Sequence, residues 1–107
     1  MKSSDCCIVI TTTDSKEKAE KLASQIVNSK LGACVQITPI TSFYFWEGKV
    51  NNDCEYKLEI KTKPAYYNKL EEFILSNHSY QTPEIIQIPI NKGNIGYLRW
   101  IDSVLKE

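Results

Sequence analysis

The residues that could carry chemistry are few: one histidine, four cysteines and one arginine in 107 residues. His78 lies beside Ser79, but adjacent residues rarely align as base and nucleophile, so no catalytic pair is evident. One histidine and scattered cysteines do not complete a four-ligand metal site within one chain. A symmetric oligomer could complete one by joining His78 to its copies, to Glu84 or to a thiol, and imidazole suits copper and zinc. His78 is therefore the candidate metal ligand, with a loop or capping role as the alternative.

The cysteines favour structural roles. Cys6 and Cys7 are neighbours, and neighbouring strand residues face opposite sides, so they are poorly placed to chelate one ion together. Cys34, in an apolar segment, is interpreted as a small buried hydrophobe, whereas Cys54 is left without a role. The opening residues hold no apolar secretory segment, so reduced thiols in the cytoplasm are expected, with an organelle as the alternative location.

A second set of residues has the make-up of a small-molecule cleft, with aromatic walls and a few charges. The competing interpretation is packing, because aromatic residues are also enriched in subunit interfaces. Two charged residues of this set, Glu47 and Lys49, could equally belong to a solvated turn. The predicted cleft or interface residues are Trp46, Glu47, Lys49, Tyr80, Glu84 and Trp100.

One aromatic stretch must position most of these residues. The run from Thr41 to Val50 carries four consecutive aromatic residues before Glu47 and Gly48, and an alternating run follows it. The pattern predicts a long hairpin whose turn uses the positive φ that glycine reaches easily. Phe43 and Phe45 then face one way, whereas Tyr44 and Trp46 face the other. Because both faces are aromatic, we expect a ligand or, in preference, another copy of the chain to cover one of them.

The remaining elements follow in a regular order. A β-branched run over residues 7–12 predicts the first strand, and Asp14-Ser15-Lys16-Glu17 supplies a capping residue with a carboxylate three positions later. The helix that follows ends at Gly32 in this interpretation. Pro39 marks an edge or bend in the second strand. Apolar positions predict an inward face on strand three, a helix from Pro64 to about Asn77, a strand over residues 84–88 and a final helix. The apolar positions are Ala19, Leu22, Ala23, Ile26 and Val27 in helix one, Tyr56, Leu58 and Ile60 in strand three, Tyr66, Leu70, Phe73 and Ile74 in helix two, and Tyr97, Leu98, Trp100, Ile101, Val104 and Leu105 in the last helix.

This order, βαββαβ with an additional C-terminal helix, predicts an α+β fold of the ferredoxin-like type, as one domain over residues 1–107. The first two helices are expected on one face of the sheet, and the other face is expected to be open. The formal net charge is zero, which argues against nucleic acid, and no segment has the length of a membrane span. The third strand lacks the motif of RNA-recognition domains. Asp14 and Glu17 would repel phosphate at the first helix, so an acyl-phosphate hydrolase is not favoured.

Four segments together resemble the CutA divalent-cation tolerance family: Thr41–Lys49, Glu59–Thr62, His78–Ile85 and Tyr97–Ile101. The resemblance implies a homotrimer of ferredoxin-like subunits with an architecture similar to PII signalling proteins, in which the long hairpins pair between subunits. It also implies a link to copper, as Cu(II), and other divalent cations. Some bacterial members have a cysteine and a second histidine where this chain has Thr11 and Asn77, so His78 is the matching ligand that remains.

The sequence therefore predicts a trimeric, non-enzymatic CutA-like protein that responds to or binds metal ions. The alternative is a structural or regulatory trimer that binds a small ligand in intersubunit clefts, or that recruits a protein partner, without metal.

Overall fold

The computed structural model describes residues 5–105 and contains one four-stranded antiparallel sheet with the strand order β2-β3-β1-β4. The elements confirm the predicted βαββαβ order with a further helix and an α+β fold. They are β1 Cys7–Thr13, α1 Lys16–Asn28, β2 Cys34–Trp46, β3 Lys49–Thr62, a short 3-10 helix Pro64–Tyr66, α2 Tyr67–Ser76, β4 Ile85–Pro89 and α3 Ile95–Leu105. The opening residues Met1–Ser4, on which the expectation of a missing secretory signal partly rests, and the last two residues of the predicted domain lie outside the described residues.

The main core lies between the sheet and the first two helices. The two-residue period predicted for β3 is confirmed, because Leu58 and Ile60 are fully buried whereas Lys57, Glu59 and Lys61, which alternate with them, are more exposed. Val9 of β1 pairs with Ile60, so the two central strands present one apolar face. The stripe of α1 and that of α2 pack onto this face. The buried members are Cys7, Val9, Ala19, Leu22, Ile26, Leu58, Ile60, Leu70 and Ile74.

A second, smaller core forms around α3, so the expectation of a wholly open second face was wrong in part. Leu98, Ile101 and Leu105 pack there with Cys6 and Ala33. Polar contacts hold α3 against the chain: Lys63 Nζ lies 2.6 Å from Asp102 Oδ1, the Tyr66 hydroxyl donates to the Leu105 carbonyl at 2.8 Å, and the Cys6 thiol lies 3.9 Å from the Leu98 carbonyl. Burial and the nearby Cys34 thiol raise the pKa of Tyr97.

Cys34 is only half-buried, which corrects the interpretation of a buried hydrophobe. Its side chain faces away from α1 and α2, because it pairs with Lys61 and alternates with Val35, which packs on the main core. Contact with α3 rather than the main core explains its partial exposure. All four cysteines are free thiols: Cys6 and Cys7 are buried, and Cys54 is exposed.

Two local signals at α1 were misinterpreted. The cap is Ser15, whose hydroxyl accepts from the Lys18 N–H at 3.1 Å, so the expected spacing of a capping box counted from Asp14 was wrong. The helix ends at Asn28 rather than at Gly32, and the positive φ of 59° that follows belongs to Lys30. Gly32 is needed for another reason, since a Cβ there would lie 2.6 Å from Ile60 Cγ2.

The predicted hairpin is confirmed, and half of it projects beyond the sheet. β1 ends where Thr13 pairs with Tyr56, whereas β2 and β3 continue pairing to Trp46 and Lys49. The turn uses positive φ values of 53° at Glu47 and 78° at Gly48, as a two-residue type I′ turn requires. The projection contributes to a molecular length of 46 Å. Its rings remain exposed, at 70% for Phe43 and 76% for Phe45.

The two edges of the sheet match the sequence signals. Pro39 lies in β2, which forms one edge, as expected for a residue that lacks a backbone donor. Pro89 ends β4 at the other edge. Among the described helices, none combines the length and the apolar character that crossing a membrane requires.

Candidate functional site

A broad groove of about 990 Å³ lies beside the projecting part of the hairpin. Three parts of the chain form its walls: the end of β1 with the residue after the strand, the two hairpin strands, and the loop between α2 and β4. The lining residues are Thr12, Asp14, Ser42, Phe43, Tyr44, Trp46, Asp53, Cys54, Glu55, Tyr80, Gln81, Thr82, Pro83 and Glu84.

Two tyrosine–carboxylate pairs line the groove. The Tyr80 hydroxyl donates to Glu55 Oε2 at 2.8 Å and so connects the loop to β3. The Tyr44 hydroxyl donates to Asp53 Oδ2 within the hairpin. Burial, followed by the hydrogen bond to Glu55 and nearby negative charge, raises the pKa of Tyr80. The hydrogen bond to Asp53 is the main cause that raises the pKa of Tyr44. Both phenols therefore remain protonated donors at neutral pH.

The charged side chains that line the groove are acidic. Four carboxylates line it, on Asp14, Asp53, Glu55 and Glu84, and no lysine or arginine among the described residues does. Lys18 lies at the rim, where its Nζ is 3.0 Å from Asp14 Oδ1 and 3.4 Å from the Ser79 hydroxyl. Even when Asp14 is counted as neutralised by Lys18, three negative charges remain in a protein whose formal net charge is zero.

His78 holds the loop against the end of β1. Its Nε2–H donates to the Thr12 carbonyl at 2.6 Å, and its Nδ1 accepts from the Tyr80 N–H at 3.1 Å. The rings of His78 and Tyr80 also lie 4.7 Å apart, centroid to centroid. Since both imidazole nitrogens contact the backbone, a metal ion bound to either nitrogen would have to replace one of these hydrogen bonds. Among residues 5–105, no three histidine, cysteine, aspartate or glutamate side chains are grouped to hold a metal ion.

The structure brings together only some of the predicted cleft residues. Trp46, Tyr80 and Glu84 line the groove. Glu47 instead belongs to the turn, where it accepts from the Trp46 indole N–H at 2.9 Å. Lys49 begins β3 directly after the turn and does not line the groove.

Trp100 lies in α3, with its ring 5.6 Å from that of Tyr97. Tyr97 contacts Cys34, which pairs with Lys61 near the start of β1, whereas the groove lies at the end of β1. Trp100 and the groove are therefore at opposite ends of the sheet of one chain.

Sequence reasoning placed Glu84 in the cleft but missed the other carboxylates of the groove, on Asp14, Asp53 and Glu55. Asp53 and Glu55 lie on one face of β3, so their two-residue spacing was a usable signal. The hydrogen-bond partner of Glu55 could not be predicted from the sequence, because Tyr80 follows it by 25 positions and approaches it only through the loop after α2.

Comparison with known proteins gives a consistent result. The sequence model of the CutA1 divalent ion tolerance protein family matches residues 7–104. The chain is 44% identical over 101 residues to the chloroplastic protein CutA 1 of Oryza sativa, and the match covers 94% of this chain and 57% of that protein. For chloroplastic CutA of Arabidopsis thaliana, the match also has 44% identity and covers 90% of this chain and 53% of that protein. The chain thus spans little more than half the length of these plant relatives.

A solved structure agrees over the full fold. The structure of the periplasmic divalent cation tolerance protein CutA from Archaeoglobus fulgidus superposes with a TM-score of 0.92 at 37% identity, covering 94% of this chain and 99% of that one. A family match over nearly the whole described chain and this agreement in fold lead to one conclusion: the chain belongs to the CutA1 divalent ion tolerance protein family.

Proposed function

We propose that this protein is a non-enzymatic homotrimer that acts in the cellular response to divalent cations. In this proposal, the aromatic and acidic groove is its site for a small ligand or a metal ion. Relatives from Archaeoglobus fulgidus and Yersinia pestis are named divalent-cation tolerance proteins, and this name supports the cation response.

The observation that carries the assembly is the exposed, projecting half of the hairpin. Phe43, Phe45 and Val50 are all more than 60% exposed although they lie on paired strands. On the side of β1, residues Lys49 to Glu55 of β3 also have no strand partner within the described part of the chain, because β1 ends opposite Tyr56. Exposed rings beside an unpaired edge are stabilised when another copy covers both. Trimerisation would in addition allow Trp100 of one copy to approach the groove of another.

Size-exclusion chromatography with light scattering tests the assembly directly. We expect three times the chain mass of 12.3 kDa, stable on dilution into the micromolar range. A monodisperse monomer at the same concentrations would contradict the proposal, because the exposed rings would then be tolerated in water.

The role of His78 as a metal ligand stays a prediction and needs its own test. Titration calorimetry with Cu(II) and Zn(II) on the wild type and on His78→Ala compares binding with and without the imidazole. If His78 is a ligand, its loss should weaken binding at least about tenfold. Asn77→Ala is a matched control, since Asn77 is adjacent and caps α2 through its backbone N–H. Equal affinity in the wild type and His78→Ala would leave the histidine with the structural role seen in the loop.

The second candidate function is a trimer that binds a small ligand or a protein partner without metal, and the contacts of His78 are the observation behind it. Both of its nitrogens are engaged with backbone groups, and no cluster of metal ligands forms around it among residues 5–105. The same titrations separate the two functions, because the second one is metal-independent.

For location, we propose the cytoplasm, with an organelle as the alternative. The names of the rice and Arabidopsis relatives include the word chloroplastic and support the alternative for plant proteins. Imaging of the fluorescently tagged natural protein in its own cells distinguishes the two.

A further inference from the structure

We draw no further inference here: the strongest candidate, the apolar surface at the β4 edge of the sheet where Ile86 is 46% exposed and Ile88 is 42% exposed, carries none, because nothing in the structure shows what covers it.

Discussion

Strands β2 and β3 run through two regions that differ in where their side chains find partners. Near the start of β1, the inward residues of β3 are fully buried under two helices, as Leu58 and Ile60 show. Eight to ten residues away along the same strand, Val50 is 62% exposed, and Phe45 opposite it is 76% exposed. The pairing of β2 with β3 is continuous through both regions. The difference is that α1 and α2 cover only the first region.

This difference shows that one region is stabilised by contacts within the chain, whereas the other depends on contact with another surface. Burial under α1 and α2 stabilises the chain without any partner, at about 25 cal/mol per Å² of apolar surface. The projecting hairpin has only its cross-strand pairs until another surface covers it. Truncation of a covered residue should therefore lower the free energy of unfolding, whereas truncation of a projecting ring should weaken assembly. Four substitutions sharpen this comparison, in order of decreasing effect.

The largest effect is expected for Leu58→Ala in the covered region. Leu58 is fully buried, so truncation leaves a cavity and should lower the free energy of unfolding by roughly 2–5 kcal/mol. Urea denaturation at a fixed protein concentration measures the loss. Lys69→Ala, on the exposed side of α2, should stay within about 0.5 kcal/mol of the wild type. A loss below about 1 kcal/mol at Leu58 would remove the distinction between the regions.

The second effect is expected for Phe45→Ala in the projecting region. If another copy covers this ring, truncation removes roughly 1.5–3 kcal/mol per subunit from assembly, because that burial is lost. Sedimentation velocity over a dilution series should show dissociation at higher concentration than in the wild type. Leu75→Ala is the matched control, because Leu75 is a 52% exposed apolar residue on α2. An unchanged dissociation midpoint for Phe45→Ala would show that the ring remains in water.

The third effect is expected for Gly32→Ala, which tests packing in the covered region from the opposite direction. The new Cβ would lie 2.6 Å from Ile60 Cγ2 and 2.9 Å from Ile26 Cγ2, so overpacking should cost roughly 1–3 kcal/mol. Thermal unfolding by circular dichroism measures it. Adding Ile60→Leu, which removes the branched methyl group, should recover part of the loss. A double variant no more stable than Gly32→Ala would show that the contact with Ile60 Cγ2 does not set the cost and would leave the contact with Ile26 Cγ2 as its source.

The smallest effect is expected for Gly48→Ala at the hairpin turn. Apart from Gly48 and its two chain neighbours, no described residue has an atom within 4 Å of the position that a Cβ would take there, so the cost of roughly 1–2 kcal/mol comes from the φ of 78°. Gly48→Asn should cost less, since asparagine tolerates this conformation better. The same thermal unfolding experiment compares the two. Equal losses for alanine and asparagine would mean that the turn is not the source of the destabilisation.

Most of the fold could be predicted because local patterns and tertiary packing agree. The alternation on β3 and the Glu47-Gly48 turn are signals that a few residues carry by themselves, and both were confirmed. The helix cap was missed because Asp14 and Ser15 are adjacent residues of equal capping ability. Gly32 was misinterpreted because its role depends on a methyl group of Ile60, which lies 28 positions later in the chain.

The candidate site was less predictable because its contacts are long-range. Aromatic type indicated Trp46 and Tyr80, which line the groove, but the same criterion included Trp100 at the other end of the sheet. The partner of His78 is the carbonyl of Thr12, which is 66 positions away, and no sequence pattern links the two. Only the sheet topology places the end of β1 beside the loop after α2.

The adjacent thiols of Cys6 and Cys7 offer a practical consequence. One is buried in the small core around α3 and the other in the main core, although they are consecutive in sequence. The double variant Cys34→Ser, Cys54→Ser removes the two more accessible thiols. In that variant, the rate at which an alkylating reagent labels Cys6 or Cys7 would report how often the core around that thiol opens. Peptide mass spectrometry distinguishes the adduct on Cys6 from that on Cys7. The two labelling rates would therefore measure local unfolding of the two cores separately, in one experiment.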